Sequence, residues 1–394
     1  MKHIITGLFI VLVLCFGALE AEADDFEVSG YSEPQYLFLQ NDVADVSSGW
    51  NRLRVDGKLS IADGLTVEAD VIYLLYAARD DLYLTDFLPR HIRNILPPGT
   101  RSLFKSSVSD SLYFDNAFLK ISKGNVDVTV GKQQLEFGPG YFRNPVNIFS
   151  SRDIIDPTYE KTGHKAVRGD VTLGPRSLLT VFMSSDDDLD DISNIGSAIR
   201  LTVPAGRFDL SFMFAEREWL LGDYLAGVFV HQQRYLYGFD AVGELLGAGV
   251  WVEAQYSAME RDEDFYELLA GVDYTFENRL YLMLEYYHGS QAAGDTDTLT
   301  LNDWLRYFND EVLAVSSDQL YLFSEYPVSD NFKIGLAALL SLNDQSSAFV
   351  PSMRYTMLEN LMLSIIGQVH TGKDGSAFGS QLGNGALCRL RYFF

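Results

Sequence analysis

Leu382-Gly-Asn-Gly-Ala-Leu-Cys-Arg-Leu-Arg-Tyr-Phe-Phe394, the last stretch of the 394-residue chain, repeats with a period of two. Phe394, Tyr392, Leu390, Cys388 and Ala386 fall on one face of an extended strand, whereas Arg391, Arg389 and Gly385 share the other. One face suits hydrocarbon; the other suits water.

The same alternation recurs upstream. Leu53, Val55, Gly57, Leu59 and Ile61 interleave with Arg52, Arg54, Asp56, Lys58 and Ser60. Val250, Val252, Ala254 and Tyr256 interleave with Trp251, Glu253, Gln255 and Ser257, and Leu268, Ala270, Val272, Tyr274 and Phe276 interleave with Glu267, Gly271, Asp273 and Thr275. These are strands with one apolar and one polar face.

Which architecture they build follows from export and from the absence of helices. Met1-Lys2-His3, the apolar run 4–19 and Ala21-Glu22-Ala23 form a secretory signal peptide, with cleavage expected before Asp24. Residues 1–23 are thus the leader and 24–394 the mature domain. No later stretch is long and apolar enough to cross a bilayer as a helix, and the only other spanning structure that satisfies every backbone group is a closed barrel. An aromatic share of 13%, with 26 Phe and 22 Tyr, fits that answer.

Short turns are expected at Ala62-Asp63-Gly64, Lys123-Gly124-Asn125, Gly174-Pro175-Arg176, Pro204-Ala205-Gly206, Glu277-Asn278-Arg279, Ser329-Asp330-Asn331 and Glu359-Asn360. Between them lie long connections, the longest at 79–111, 138–165 and 290–317. The spacing predicts a transmembrane antiparallel up-and-down β-barrel of about eighteen strands, all-β, with short periplasmic turns and long extracellular loops. Residues 224–242 leave room for one strand or part of an extra hairpin. Leu88, Ile92 and Ile95 have helical spacing, as do Trp304, Leu305, Phe308 and Val312; both sets are expected to pack on the rim, with folding into the lumen as a gate the alternative.

Composition narrows the chemistry. The formal charge of −24 argues against nucleic acid as a partner. Only Cys388 remains after the leader with its Cys15 is removed, so neither a disulfide nor a Cys-based metal site is expected. Asp186-Asp187-Asp188-Leu189-Asp190-Asp191 reads as a solvated charge run, because a calcium loop would need a glycine turn and a terminal glutamate. No cofactor, catalytic centre or metal site is expected.

Two resemblances sharpen the reading. The final strand, stopping on an aromatic residue, resembles the closing strand of bacterial outer-membrane barrels, which implies that Tyr392 and Phe394 form the signal for the insertion machinery. The stretch 130–157 carries Gly-Lys-Gln-Gln from Gly131, Phe137-Gly-Pro-Gly140, Asn144-Pro-Val-Asn147 and Arg152-Asp-Ile-Ile-Asp-Pro157. It resembles the corresponding segment of alginate-export-type outer-membrane porins, in which Lys132 would replace an arginine and Phe137 a tryptophan.

That resemblance implies a channel in the outer membrane of a Gram-negative bacterium, surrounded by lipid and lipopolysaccharide. It would pass hydrophilic solutes, anionic or polyuronate-like ones among them. Candidate lining cations are Arg52, Arg54, Lys58, Arg143, Arg152, Arg168, Arg200, Arg354, Arg389 and Arg391, facing Asp56, Asp70, Asp170, Asp209, Glu253, Glu267, Asp273 and Glu285 in the same water. Each arginine has two readings, a solute contact or a wall ion pair. The loop 138–165 is the candidate for folding inward. A general porin, a non-conducting adhesion or envelope barrel, and a lipid hydrolase using His288 and Ser290 are the alternatives; the chain is read as not an enzyme.

Overall fold

The computed structural model describes residues 26–79, 81–149, 163–185, 195–223, 227–295, 299–308 and 311–394. The leader over 1–23, the acidic run 186–191 and Arg152 lie outside them. Eighteen strands form one antiparallel sheet: β1 Phe26–Gln40, β2 Asp45–Ala62, β3 Leu65–Arg79, β4 Ser111–Lys123, β5 Val126–Gln133, β6 His164–Gly174, β7 Ser177–Ser185, β8 Ile195–Ala205 and β9 Phe208–Asp223 make the first half. The second half comprises β10 Val228–Leu245, β11 Ala248–Met259, β12 Phe265–Thr275, β13 Tyr281–Gly289, β14 Asp318–Pro327, β15 Phe332–Ser341, β16 Ser347–Leu358, β17 Leu361–His370 and β18 Asn384–Phe393.

Each strand pairs with its sequence neighbours, and β18 pairs with β1, with Gln35 opposite Arg389 and Tyr31 opposite Phe393. Gly30 and Phe394 exchange both N–H to C=O bonds at 3.0 Å. The sheet therefore has no edge, which is what a spanning strand requires, because an unpaired backbone group in hydrocarbon costs several kcal/mol (~).

The alternation read from sequence sorts the two faces. Ala386, Cys388 and Tyr392 are exposed on the outside, and Leu387 and Arg389 are buried within. Leu59, Val252, Leu268, Leu284, Leu322 and Leu336 are likewise exposed outside. Above and below this aliphatic band lie Tyr36, Tyr256, Tyr266 and Tyr286 toward the long loops, and Tyr274, Tyr326, Tyr355 and Tyr392 toward the short turns. Their amphipathic rings suit the two interfaces of a bilayer.

The seven expected turns all connect consecutive strands. An eighth, Leu246-Gly247, joins β10 to β11, so that 228–245 is one strand and the count is eighteen. Both residues have positive φ, 55° and 83°, the geometry of a two-residue hairpin whose twist matches the strands. Leucine carries no signal for that conformation, which is why the turn was not expected there.

The helical expectation needs correction. A single turn at Arg90–Arg93 (α1) and another at Thr100–Leu103 (α2) replace a helix through Ile95, which is exposed, and Leu301–Phe308 (α3) stops short of Val312. Nor do these pieces sit only on the rim. Leu88, Ile92, Trp304 and Leu305 pack on Trp251, Met283, Tyr321 and Leu339, which are residues of the inner face. The wall of β11 to β15 presents apolar side chains there, and folding the loops inward buries both surfaces.

Candidate functional site

The connection after β5 begins at Gln134, earlier than 138, and turns into the barrel. Leu135, Phe137 and Phe149 are buried against Phe182, Ala198, Met213 and Leu236 of the inner wall, with Phe137 stacked on Phe182 at 5.1 Å, and Val146 is buried as well. Gly138, with φ of 79°, and Gly140 make the reversal possible. A Cβ on Gly140 would sit 2.2 Å from the Arg143 carbonyl oxygen.

The tip of the loop reaches strands six and eight places further round the ring. Glu253 on β11 accepts the Gly140 N–H at 2.5 Å and the Val146 N–H at 3.4 Å. Glu285 on β13 accepts the Tyr141 and Phe142 N–H groups at 2.8 and 2.6 Å and the Trp251 indole N–H at 2.8 Å. Both carboxylates are buried, and the loop's successive N–H groups supply the concave donor set that such a group needs. Asn144 braces the turn through the Phe137 carbonyl at 2.6 Å, and Arg217 holds the Ile148 carbonyl at 2.5 Å. The described part of the loop, 134–149, thus crosses the lumen and is fastened on the far side.

Other connections close on one another above it. Asp42 pairs with Arg90 and Arg93, Arg101 makes a two-pronged contact with Asp86 at 2.8 Å on both sides, and Asn41 bridges the carbonyls of Asp86 and Gln381. Asp344 accepts the Ser346 and Ala377 N–H groups, joining two further loops.

Among the described residues, the expected lining cations carried by strands share the inner face, but most are taken. Arg54 contacts Asp56, Asp70 and Asp115 at 2.5, 2.9 and 2.7 Å; Arg389 and Arg391 both meet Glu33. Arg168 pairs with Asp170 at 2.7 Å and Arg200 with Asp240 at 2.6 Å. Arg52 is buried beside them. Arg143 lies over the Phe142 ring at 4.5 Å and reaches Gln319, so it is a strut of the loop. Lys58 is exposed at the turn end, 4.0 Å from Glu27. Arg354, facing inward between Lys333 and Ser364, has no ion pair among the described residues. Of the two readings given for each arginine, the wall ion pair describes Arg54, Arg168, Arg200, Arg389 and Arg391.

Several members of these groups were not anticipated. Glu33, Asp115 and Asp240 neutralise arginines across strands; Asp115 gains the inner face through a bulge opposite Asp70 and Val71, which no local sequence signal marks. Arg234, in contact with Trp219, Phe265 and Ser257, was also missed. Its strand alternates clearly, so parity would have found it.

His288 and Ser290 lie on the outer face. His288 Nδ1 is 2.9 Å from Asp318, and Ser290 Oγ accepts the Tyr266 N–H at 2.9 Å. No hydrogen bond joins Ser290 to His288 among the described residues, so the nucleophile-to-base contact that hydrolysis requires is not made. No group of three or more metal-ligating side chains occurs among the described residues.

No protein-family model and no curated protein matches the sequence. Solved structures do. OccAB4 of Acinetobacter baumannii is 14% identical with a TM-score of 0.59, covering 94% of this chain and 98% of that one. OccAB3 of the same organism is 13% identical at 0.58, over 95% and 100%, and OpdL of Pseudomonas aeruginosa is 10% identical at 0.58, over 95% and 99%. At these identities the likeness is one of fold: the chain is a closed eighteen-stranded barrel of the outer-membrane type.

Proposed function

We propose that the chain is a passive channel of the porin kind in the outer membrane of a Gram-negative envelope, admitting small hydrophilic solutes. The observation that carries this reading is the loop fastened across a charged lumen by Glu253 and Glu285. A barrel serving only adhesion has no need of a loop bridged to its inner wall, whereas a channel selects solutes by the width and charge of such a constriction. Leader removal before Asp24, recognition of Tyr392 and Phe394 by the insertion machinery, and contact with lipopolysaccharide belong to the same proposal.

The finer alginate-export reading turns on where a polyanion would find cations. Arginines already paired with wall carboxylates act as wall, so anionic or uronate-like solutes meet Arg354 in preference to Arg54, Arg168 or Arg200. Purified protein in planar bilayers tests the channel: stepwise ohmic currents in KCl are expected. Normal insertion without current supports the adhesion or envelope alternative.

A further inference from the structure

Five aromatic rings form a continuous track down one side of the lumen, from the loop toward the short-turn end. Phe142 stacks on Tyr321 at 5.0 Å, Tyr321 lies 5.8 Å from Tyr141, Tyr141 lies 6.2 Å from Phe323, and Phe323 lies 6.1 Å from Tyr281. The upper two are buried, at 6% and 3% exposure, and serve to seat the loop. Tyr141, Phe323 and Tyr281 are only partly buried. They lie at the margin of the apolar cluster formed by the inner wall and the loops, where each ring keeps part of its surface unburied.

The flanks are polar. The Tyr281 hydroxyl donates to Asp273 at 2.9 Å, Glu325 lies opposite Tyr281 in register and accepts from Lys333 at 3.0 Å, and Arg354 lies opposite Lys333. An open aromatic face beside hydroxyl-binding carboxylates and cations matches one class of hydrophilic solute, a pyranose ring. Such a ring has an apolar C–H face to stack and an equatorial rim of hydroxyls to hydrogen-bond. We infer that Tyr141, Phe323 and Tyr281 form a sugar-stacking site on the periplasmic side of the loop. The inference rests on the channel reading and names its solute class. Neutral and acidic sugars share the ring, and Arg354 favours the acidic ones.

The test uses the full-length folded barrel in planar bilayers. A neutral glucan hexamer, an oligouronate of equal length and a size-matched polyethylene glycol are each added during KCl conductance. Both sugars are expected to block transiently, and Phe323→Ala should shorten the blocks about tenfold, the loss of one ring's contact. Phe323→Tyr should keep them, and Arg354→Ala should shorten only the oligouronate's. Heat-shifted migration on gels establishes that each variant is folded. If neither sugar blocks a salt-conducting channel, or Phe323→Ala leaves the blocks unchanged, or the glycol blocks equally well, the inference is overturned and the channel reading stands. Loss of blocks in Phe323→Tyr as well as Phe323→Ala also overturns it, and no salt conductance removes both.

Discussion

Glu285 Oε2 accepts the Phe142 backbone N–H at 2.6 Å, although the two residues lie 143 apart in the chain. The same carboxylate takes the Tyr141 N–H and the Trp251 indole, so one buried group fastens loop to wall. Glu285→Ala orphans three donors, each worth about 1–3 kcal/mol when buried without a partner. The expected outcome is a barrel that folds and inserts but whose single-channel current is larger and noisier than wild type. An unchanged current would show that the loop stays in place without this contact.

Gly140→Ala approaches the same latch from the loop. Its Cβ would meet the Arg143 carbonyl and, at 2.8 Å, Glu253 Oε1, which already holds the Gly140 N–H. The loop tip must then move while every side chain of the wall is unchanged. Conductance should change in the same direction as in Glu285→Ala, and the double variant should add little to either, because Glu253 and Glu285 hold adjacent N–H groups of one loop tip. Additive effects would separate the two.

Arg54 contacts three carboxylates, of which Asp70 and Asp115 are buried. Arg54→Ala leaves them unpaired, a loss of about 3–5 kcal/mol in unfolding free energy. Arg54→Lys should rescue it only in part, since one ammonium cannot reproduce a guanidinium that contacts all three. Urea unfolding of the barrel in lipid vesicles measures both.

The period of two was legible because it follows from the strand's own geometry: Leu390 and Arg391 must face opposite ways whatever they pack against. The turns and the inward loop were read from similarly local signs. What stayed hidden depends on contacts between distant segments. Glu253 and Glu285 were visible as inner-face carboxylates, but their partners are backbone N–H groups, which every residue has. Trp304 and Leu305 show a helix's apolar face without saying whether rim or lumen covers it. Tyr281 and Phe323 have inner-face parity in the sequence, yet only the fold reveals that Tyr141 joins them.

Charge selectivity should follow the unpaired cation and not the pairs. Arg354→Gln removes a charge that no described carboxylate offsets, and its zero-current potential under a KCl gradient should move toward the cation side. Removing Arg200 and Asp240 together, as Arg200→Gln with Asp240→Asn, takes away both members of a buried pair and leaves the lumen's net charge as it was. That variant should keep the wild-type potential. Equal shifts in the two would mean that Arg200 is available to the solute.

Acid should loosen the outer loops through Asp344. Burial raises the pKa of this carboxyl, but hydrogen bonds from Ser346 and the Ala377 N–H outweigh that and leave it below the usual aspartate range. A depressed folded-state pKa means the stabilisation is complete above the unfolded-state value and is lost as pH falls through the folded-state value. Proteolysis within 371–383 should therefore rise below the ordinary aspartate range, under an acid-active protease. In Asp344→Asn the same segment should already be open at neutral pH, and the acid-dependent step should shrink. A step of full size in that variant would assign the acid response to another group.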